Sequence, residues 1–301
     1  MKNILIIGSR TSGSKNNPDD IARFIDSDDT NVTRVYWEDM IFSVSTDDVR
    51  INAGEVDVLD VSRDLVIAIG WYKNGKKSVY RDVAFSVALA LKHHGITFWN
   101  SEMGKQRSTT KLSAMVQLAL EGVPVPQTLF SLKTANFSAS NLEYPYVAKA
   151  VAASRGESNF LIENEQQALD AALSQGYFLV QPFLPNDHDL RVICFDGKPS
   201  LILRRSRRAD AETHMNNTSQ GGQAEWLELS EINPQLLTLS SKICTIMDRE
   251  MAGIDLIPDS SSGVGYSCLE VNAVPQLTSG TDSDKKLTAF REAVRKLQGD
   301  F

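Results

Sequence analysis

The 301-residue chain has only three cysteines, Cys194, Cys244 and Cys268, far apart and odd in number. None has metal-ligand spacing, which argues against a disulfide scaffold and a zinc cluster and for buried, reduced thiols in a cytoplasmic protein. Long apolar runs are also missing. The longest, from Val83 to Leu91, is too short and interrupted to cross a bilayer, so no membrane partner is expected. Met1–Gly8 lacks the length and cleavage site of a signal peptide and reads as a buried first strand. Positive charge is not in excess: 31 Lys and Arg stand against 38 Asp and Glu, a net −7. That argues against a nucleic-acid partner held by its phosphate backbone, while leaving room for a local basic cleft. Ser/His/Asp and Cys/His constellations, internal repeats and low-complexity tracts are not recognisable. The loop Gly8-Ser9-Arg10-Thr11-Ser12-Gly13 departs from the G-x-G-x-x-G dinucleotide pattern.

What is present suits two or three small globular domains with ample core. In the first third, Lys2–Ile7 and Leu65–Ile69 are continuous apolar runs, as expected of strands covered on both faces. Pro18-Asp19-Asp20 opens a helix, and Val83, Val87, Ala90 and Leu91 share the face of a second that stops at Gly95. With a strand at Ile96–Trp99, this makes a small α/β domain with a parallel sheet. A helix is expected over Ser108–Glu121 and another over Glu165–Gln175. Strands are expected at Gln127–Ser131, Tyr146–Ala150, Asn159–Ile162 and Phe178–Gln181. A hairpin, Leu190–Phe195 and Pro199–Arg204, turns at Asp196-Gly197-Lys198. Arg205–Gln223 has no periodicity and reads as a loop. It is followed by a helix over Pro234–Met251, strands at Ala252–Ile257 and Tyr266–Val271, and a helix over Lys285–Leu297.

Three features carry chemistry. A turn over Pro258–Gly265 would pair the last two strands, bring Asp255 beside Glu270, and leave Glu270 and Asn272 on one face by period-two alternation. Three such oxygen ligands suit Mg²⁺, which keeps waters and is completed by substrate phosphates; solvated acids at strand ends are the plainer alternative. Lys149 leaves an apolar strand ahead of the small-residue loop Ala152–Ser158, the makings of a phosphate cradle, or simply a solvated strand end. Arg191, Arg204 and Arg205, with Arg207-Arg208, would neutralise phosphate if they reach that site, although alternation turns Arg204 and Arg205 opposite ways. His93-His94 reads as a helix end, and His188 and His214 have no evident partners.

Taken in order, these pieces resemble the ATP-grasp superfamily, most closely its RimK-type and glutathione-synthetase-like carboxylate–amine ligases. The resemblance runs from Arg107 to the end of the last metal strand. Arg107–Leu112 with Gly122-Val123-Pro124-Val125-Pro126 is similar to the helix carrying a nucleotide-contacting lysine, here Lys111. Lys149 matches the strand lysine near the ATP phosphates, and Ser154 and Gly156 lie in what matches the mobile loop over them. Leu179–Leu184, with Gln181, Pro182, Phe183 and Leu184, resembles the strand whose backbone pairs with adenine. Asp189-Leu190-Arg191 resembles the triplet whose aspartate holds the ribose side and whose arginine faces phosphate. Arg204-Arg205 matches an arginine pair, Asn217 an asparagine in the closing loop, and Gly253-Ile254-Asp255 with Glu270-Val271-Asn272-Ala273-x-Pro275 the metal motifs. Pro182 stands where the family has an acid, and Gln276 where it has a glycine.

The resemblance implies an α/β (α+β) chain: a pre-ATP-grasp domain (1–106), a central lobe (107–177) and a C-terminal lobe with the metal site (178–301). It implies an ATP- and Mg²⁺-dependent ligase, with one or two ions and Mn²⁺ as a substitute. Amide formation would run through an acyl phosphate. Lys111 and Lys149 would hold phosphates, and Arg191 with Arg204 or Arg205 would stabilise the transferring group. The reaction would be amino-acid addition to a peptide or protein tail, formation of a dipeptide or small metabolite, or ring closure of a ribosomal peptide, with homo-oligomerisation left open. A phosphotransferase acting on a hydroxyl, and a non-catalytic ATP-binding module, are the competing readings.

Overall fold

The computed structural model describes residues 1–10, 16–69, 77–100, 111–132, 143–150, 159–168, 170, 178–207, 216 and 222–297, with side chains from 79 onward in the helix that starts at 77. The N-terminal elements in chain order are β1 (Lys2–Gly8), α1 (Pro18–Ile25), β2 (Thr30–Tyr36), β3 (Met40–Val44), β4 (Val49–Ala53), β5 (Val56–Asp57), β6 (Leu65–Ala68), α2 (Lys77–His93) and β7 (Phe98–Trp99). The expected parallel sheet forms in the order β2-β1-β6-β7. β1 is apolar throughout because both faces are covered. Ile4 and Ile6 pack with Ile21 and Ile25 of α1, while Leu5 and Ile7 pack with Val87 and Leu91 of α2. The antiparallel sheet β3-β4-β5 beside it was not expected, although β3 carries the short apolar run Met40-Ile41-Phe42. At the end of β1, a Cβ on Gly8 would lie 2.4 Å from Cγ of Pro18, so only glycine lets α1 start so close to the strand.

The central segment contributes α3 (Lys111–Leu120), β8 (Leu129–Phe130), β9 (Tyr146–Ala150), β10 (Asn159–Ile162) and β11 (Phe178–Pro182). Its strands form an antiparallel sheet ordered β10-β9-β11-β8. Most of the helix expected over Glu165–Gln175 lies outside the described residues; 165–168 are helical. α3 packs away from this sheet, burying Ala114, Met115 and Leu118 in the C-terminal core.

The C-terminal segment holds β12 (His188–Phe195), β13 (Lys198–Ser206), β14 (Gln223–Leu227), α4 (Pro234–Met247), β15 (Ala252–Pro258), β16 (Tyr266–Asn272) and α5 (Ser283–Lys296). Five antiparallel strands run in the order β14-β13-β12-β15-β16. Asp196 and Gly197, both at positive φ, make the tight β12–β13 turn. β14, which begins where the polar stretch ends, was not expected, and α4 stops four residues before its expected end. There Asp248 turns left-handed and its backbone N–H caps Cys244 and Thr245.

Alternation gives this sheet two faces. Leu190, Val192, Ile202, Ile254 and Leu256 face α3 and α4, while Ile193 and Phe195 pack with Phe290 of α5 and the N-terminal domain. Asn100, fully buried at φ 70°, joins the two parts. Its side-chain amide donates to the Ala68 carbonyl at 3.3 Å, and its Oδ1 accepts from the Met251 amide at 3.2 Å. The three cysteines are buried and free. Among the described residues no helix is long and apolar enough to cross a membrane.

Candidate active site

The site face of the C-terminal sheet begins with strand register. Arg191 on β12 lies opposite Asp255 on β15, which lies opposite Glu270 on β16; Asn272 lies opposite Gly253. Leu256 then pairs with Cys268, leaving Leu269 as an extra residue. Unbroken alternation would put Cys268 on the Glu270 face. The bulge instead sends Cys268 into the core against α4 and keeps Glu270 and Asn272 on the face of Asp255.

Asp255 is the centre of an ion cluster. Arg191 donates to it through Nε (2.7 Å, Oδ1) and Nη2 (2.6 Å, Oδ2), and Arg205 through Nη2 (3.0 Å, Oδ1). Nε of Arg205 also donates to Oδ1 of Asp189 at 2.6 Å. Asp189, Arg205 and Asp255 are 7%, 5% and 6% exposed. Burial alone would raise the Asp255 pKa, but the two guanidiniums outweigh it and hold the carboxyl below the usual carboxylate range. At Asp189 burial wins over Arg205 and the carboxyl is pushed up.

Across the cleft, Lys149 and Gln181 project from β9 and β11 of the central sheet. Leu179 is the register partner of Lys149, so Gln181 sits diagonal to it on the same face. Gln181 is buried. Its Oε1 accepts from the Lys149 ammonium at 2.7 Å and its amide donates to Thr128 Oγ1 at 2.8 Å. Lys111, at the start of α3, reaches the Ala150 carbonyl at 3.4 Å. Burial brings Lys149 down to about 8. Its charged neighbours are Glu270, Lys111 and Asp255, so Lys149 of the central sheet and Lys111 of α3 face the carboxylates of the C-terminal sheet.

Arg204 does not join this cluster. It points to the opposite face of the sheet, into a cavity of about 370 Å³ that it lines with His188, Leu190, Tyr266 and the residues leading into α4. Pro182 has no amide hydrogen, and the Phe183 amide donates to Pro145 at 3.1 Å. Among the described residues Leu184 is the remaining backbone donor on this stretch. Ser154, Gly156 and Asn217 lie outside the described residues. Neither the Gln181 side chain as a support for Lys149 nor Lys286, a buried lysine beside the site, was legible in the sequence.

Among the described residues no three His, Cys, Asp or Glu side chains converge as a cage. The candidate set is two carboxylates and one amide. Asn272 donates its Nδ2 to the Gly253 carbonyl at 3.3 Å, which leaves its Oδ1 for a ligand. Such a partial oxygen set fits Mg²⁺, whose remaining positions go to water and phosphate oxygens.

A family model for the RimK-like ATP-grasp domain matches residues 108–291, more than half of the chain. A tetrahydromethanopterin:alpha-L-glutamate ligase from Methanosarcina acetivorans is 27% identical over 256 residues, 74% of this chain and 76% of that protein. A probable alpha-L-glutamate ligase from Histophilus somni is 29% identical over 196 residues, 61% of this chain and 63% of that one. Among solved structures, the ATP-grasp ligase PsnB with minimal precursor, Mg and ADP superposes with a TM-score of 0.69 at 15% identity, covering 98% of this chain and 96% of that one. The D-alanine–D-alanine ligase of Bacillus anthracis complexed with ATP gives 0.61 at 15% identity over 99% of each. The family match falls on the residues that build the cleft, from α3 to α5, and this chain belongs to the RimK-like ATP-grasp family.

Proposed function

We propose that this chain joins a carboxylate to an amine with hydrolysis of ATP to ADP and phosphate, through an acyl phosphate. The observation that carries this reading is the facing of Lys111 and Lys149 on one side of the cleft by Asp255, Glu270, Asn272, Arg191 and Arg205 on the other. Phosphoryl transfer needs positioning and charge neutralisation rather than a side-chain nucleophile, and the cleft offers both. Lys111 and Lys149 hold the phosphates, with Gln181 aiming Lys149. The Leu184 amide and the carbonyls of Pro182 and Phe183 offer one donor and two acceptors to an adenine edge. Asp189 would meet the ribose side, and it also holds Arg205 in the site. Arg191 and Arg205 stabilise the transferring phosphoryl group and the acyl phosphate. Asp255, Glu270 and Asn272 would hold one or two Mg²⁺, or Mn²⁺ in its place, and such ions neutralise phosphate charge when bound.

The amine is an amino acid, and L-glutamate is the first to try because the curated relatives are named as glutamate ligases. The buried, reduced thiols suit a cytoplasmic setting. The test is ADP release by the purified chain against pools of carboxylates and amino acids, with mass spectrometry of the products. Release that needs both substrates, with a product equal to their sum less one water, is expected. Release driven by a hydroxyl compound alone, or none with any pair, would overturn the reading.

A further inference from the structure

Lys286 is 4% exposed and sits in the first turn of α5, whose N-cap is Asp282. Three things disfavour an ammonium there. Burial strips its hydration. The positive end of the helix dipole repels it. Its nearest charged neighbours include Arg191, of the same sign. Asp282 opposes these effects, but among the described residues no carboxylate lies within 4 Å of the ammonium, and one acceptor is in place, the Ser279 carbonyl at 2.6 Å. A buried cation so placed is stabilised by an anion that arrives with the substrate.

The geometry shows where that anion would sit. Phe290, one turn after Lys286, packs on Phe195 with ring centroids 5.3 Å apart. Phe195, Ile193 and Arg191 share one face of β12, so α5 lies along that face and Lys286 stands on it close enough to feel the Arg191 charge. A Cβ on Gly280 would stand 3.2 Å from Gln276 Oε1 and 3.9 Å from Lys286 Nζ, so both side chains converge on this loop. Lys286 approaches Arg191 from α5, whereas Lys111 and Lys149 approach Asp255 and Glu270 from α3 and the central sheet, so the two sets of lysines enter the site from different elements.

We propose that Lys286, together with Arg191, seats a carboxylate of the amine substrate, so that the acceptor is an amino acid rather than a simple amine. This rests on the ligase reading above. Arg191 then bridges the two halves of the reaction, and Gln276 stands beside the seat with an amide to offer. Lys286 acts as a specificity residue and takes no part in phosphoryl transfer.

The test compares the full chain with Lys286→Met and Lys286→Arg, using the most active amino acid from a panel and its α- and side-chain carboxamides. A charge-assisted hydrogen bond in a buried site corresponds to about ten- to a hundredfold in affinity. Lys286→Met should raise the KM for the amino acid by about that factor, leave the KM for ATP within about twofold, and abolish discrimination against one carboxamide. Lys286→Arg should restore part of it. An unchanged amino-acid KM with unchanged discrimination in Lys286→Met would overturn the proposal. If Lys286→Met does not fold, a Lys286→Arg variant with wild-type KM and discrimination overturns it, and an altered pair supports it. Should the wild type form no amide at all, the ligase reading fails separately, and the seat is judged by Tm with inorganic phosphate. Stabilisation of wild type but not of Lys286→Met supports an anion seat, and no stabilisation of wild type overturns it.

Discussion

Arg191 grips Asp255 edge-on across neighbouring strands, with both oxygens of the carboxylate bonded to one guanidinium at 2.7 and 2.6 Å. Asp255, the carboxylate proposed for the metal, is thus already engaged by a cation of the chain. Its Oδ1 accepts from two guanidinium N–H groups and its Oδ2 from one, so Oδ2 would offer Mg²⁺ its remaining lone pair, and the ion and Arg191 would compete for that oxygen. A guanidinium loosened by that competition would be free for a phosphate oxygen.

This coupling can be tested with Arg191→Met. The substitution removes a competitor for Asp255 and the group proposed to face the transferring phosphate. Mg²⁺–ADP should bind as tightly as to the wild type or more so, while turnover falls by about a hundredfold or more. Calorimetry and ADP release measure the two. Loss of Mg²⁺–ADP binding in step with turnover would mean that Arg191 holds the nucleotide rather than competing with the ion.

The two carboxylates should separate stability from activity. Asp255→Asn leaves Arg191 and Arg205 buried without their shared partner, and breaking such a pair costs about 3–5 kcal/mol. Glu270 is half-buried and, among the described residues, in no ion pair, so Glu270→Ala should stay within about 1 kcal/mol of wild type. Both should abolish ATP turnover. Denaturant melts with ADP assays check this, and near-normal ADP production by Glu270→Ala would remove Glu270 from the metal set.

Much of the architecture was legible where burial is two-sided or alternation regular. β9 and β10 match their expected bounds residue for residue, and the pairing of Asp255 with Glu270 follows from the turn between their strands. β3 and β4 were not expected although Met40-Ile41-Phe42 is apolar and Val49, Ile51 and Ala53 alternate: the strands span only five residues each, and most of β3 and the start of β4 are exposed. The bulge at Leu269 leaves no trace in composition, yet it decides which way Cys268 points. Lys286 was hidden for a different reason: beside Lys285 at a helix start it looks like a solvated charge, and only the packing of α5 against β12 buries it.

The adjacent arginines of β13 should behave as opposites. Arg205 is buried and joins Asp189 to Asp255, so Arg205→Met strands the buried Asp189 and leaves Asp255 with Arg191 alone. A loss of about 3–5 kcal/mol and of nearly all turnover is expected. Arg204 faces the cavity behind the sheet and, among the described residues, makes no ion pair, with its Nε left without an acceptor. Arg204→Met should keep kcat within about threefold and stability within about 1 kcal/mol. Unfolding midpoints and steady-state rates for the pair decide it; equal damage would mean that both arginines serve the cleft.

Lys149 gives the site a pH dependence whose sign can be worked out. Its pKa in the folded chain, about 8, lies below the ordinary 10.5, chiefly through burial. Below pH 8 the lysine is charged in both folded and unfolded chains, and the folded one bears the full desolvation penalty. Between about 8 and 10.5 the unfolded chain keeps the proton that the folded chain has lost, so the stability of the nucleotide-free protein rises with pH through that window. Nucleotide phosphates need the ammonium, so binding above pH 8 must take up a proton. Affinity for Mg²⁺–ADP should therefore fall with rising pH above about 8, approaching tenfold per pH unit. Calorimetry in buffers of different ionisation enthalpy should show the uptake, and Lys149→Met should abolish it. Gln181→Leu removes the acceptor that supports the ammonium at 2.7 Å and should move the break to lower pH. A wild-type affinity flat from pH 7 to 9.5 would mean that Lys149 does not touch the phosphates.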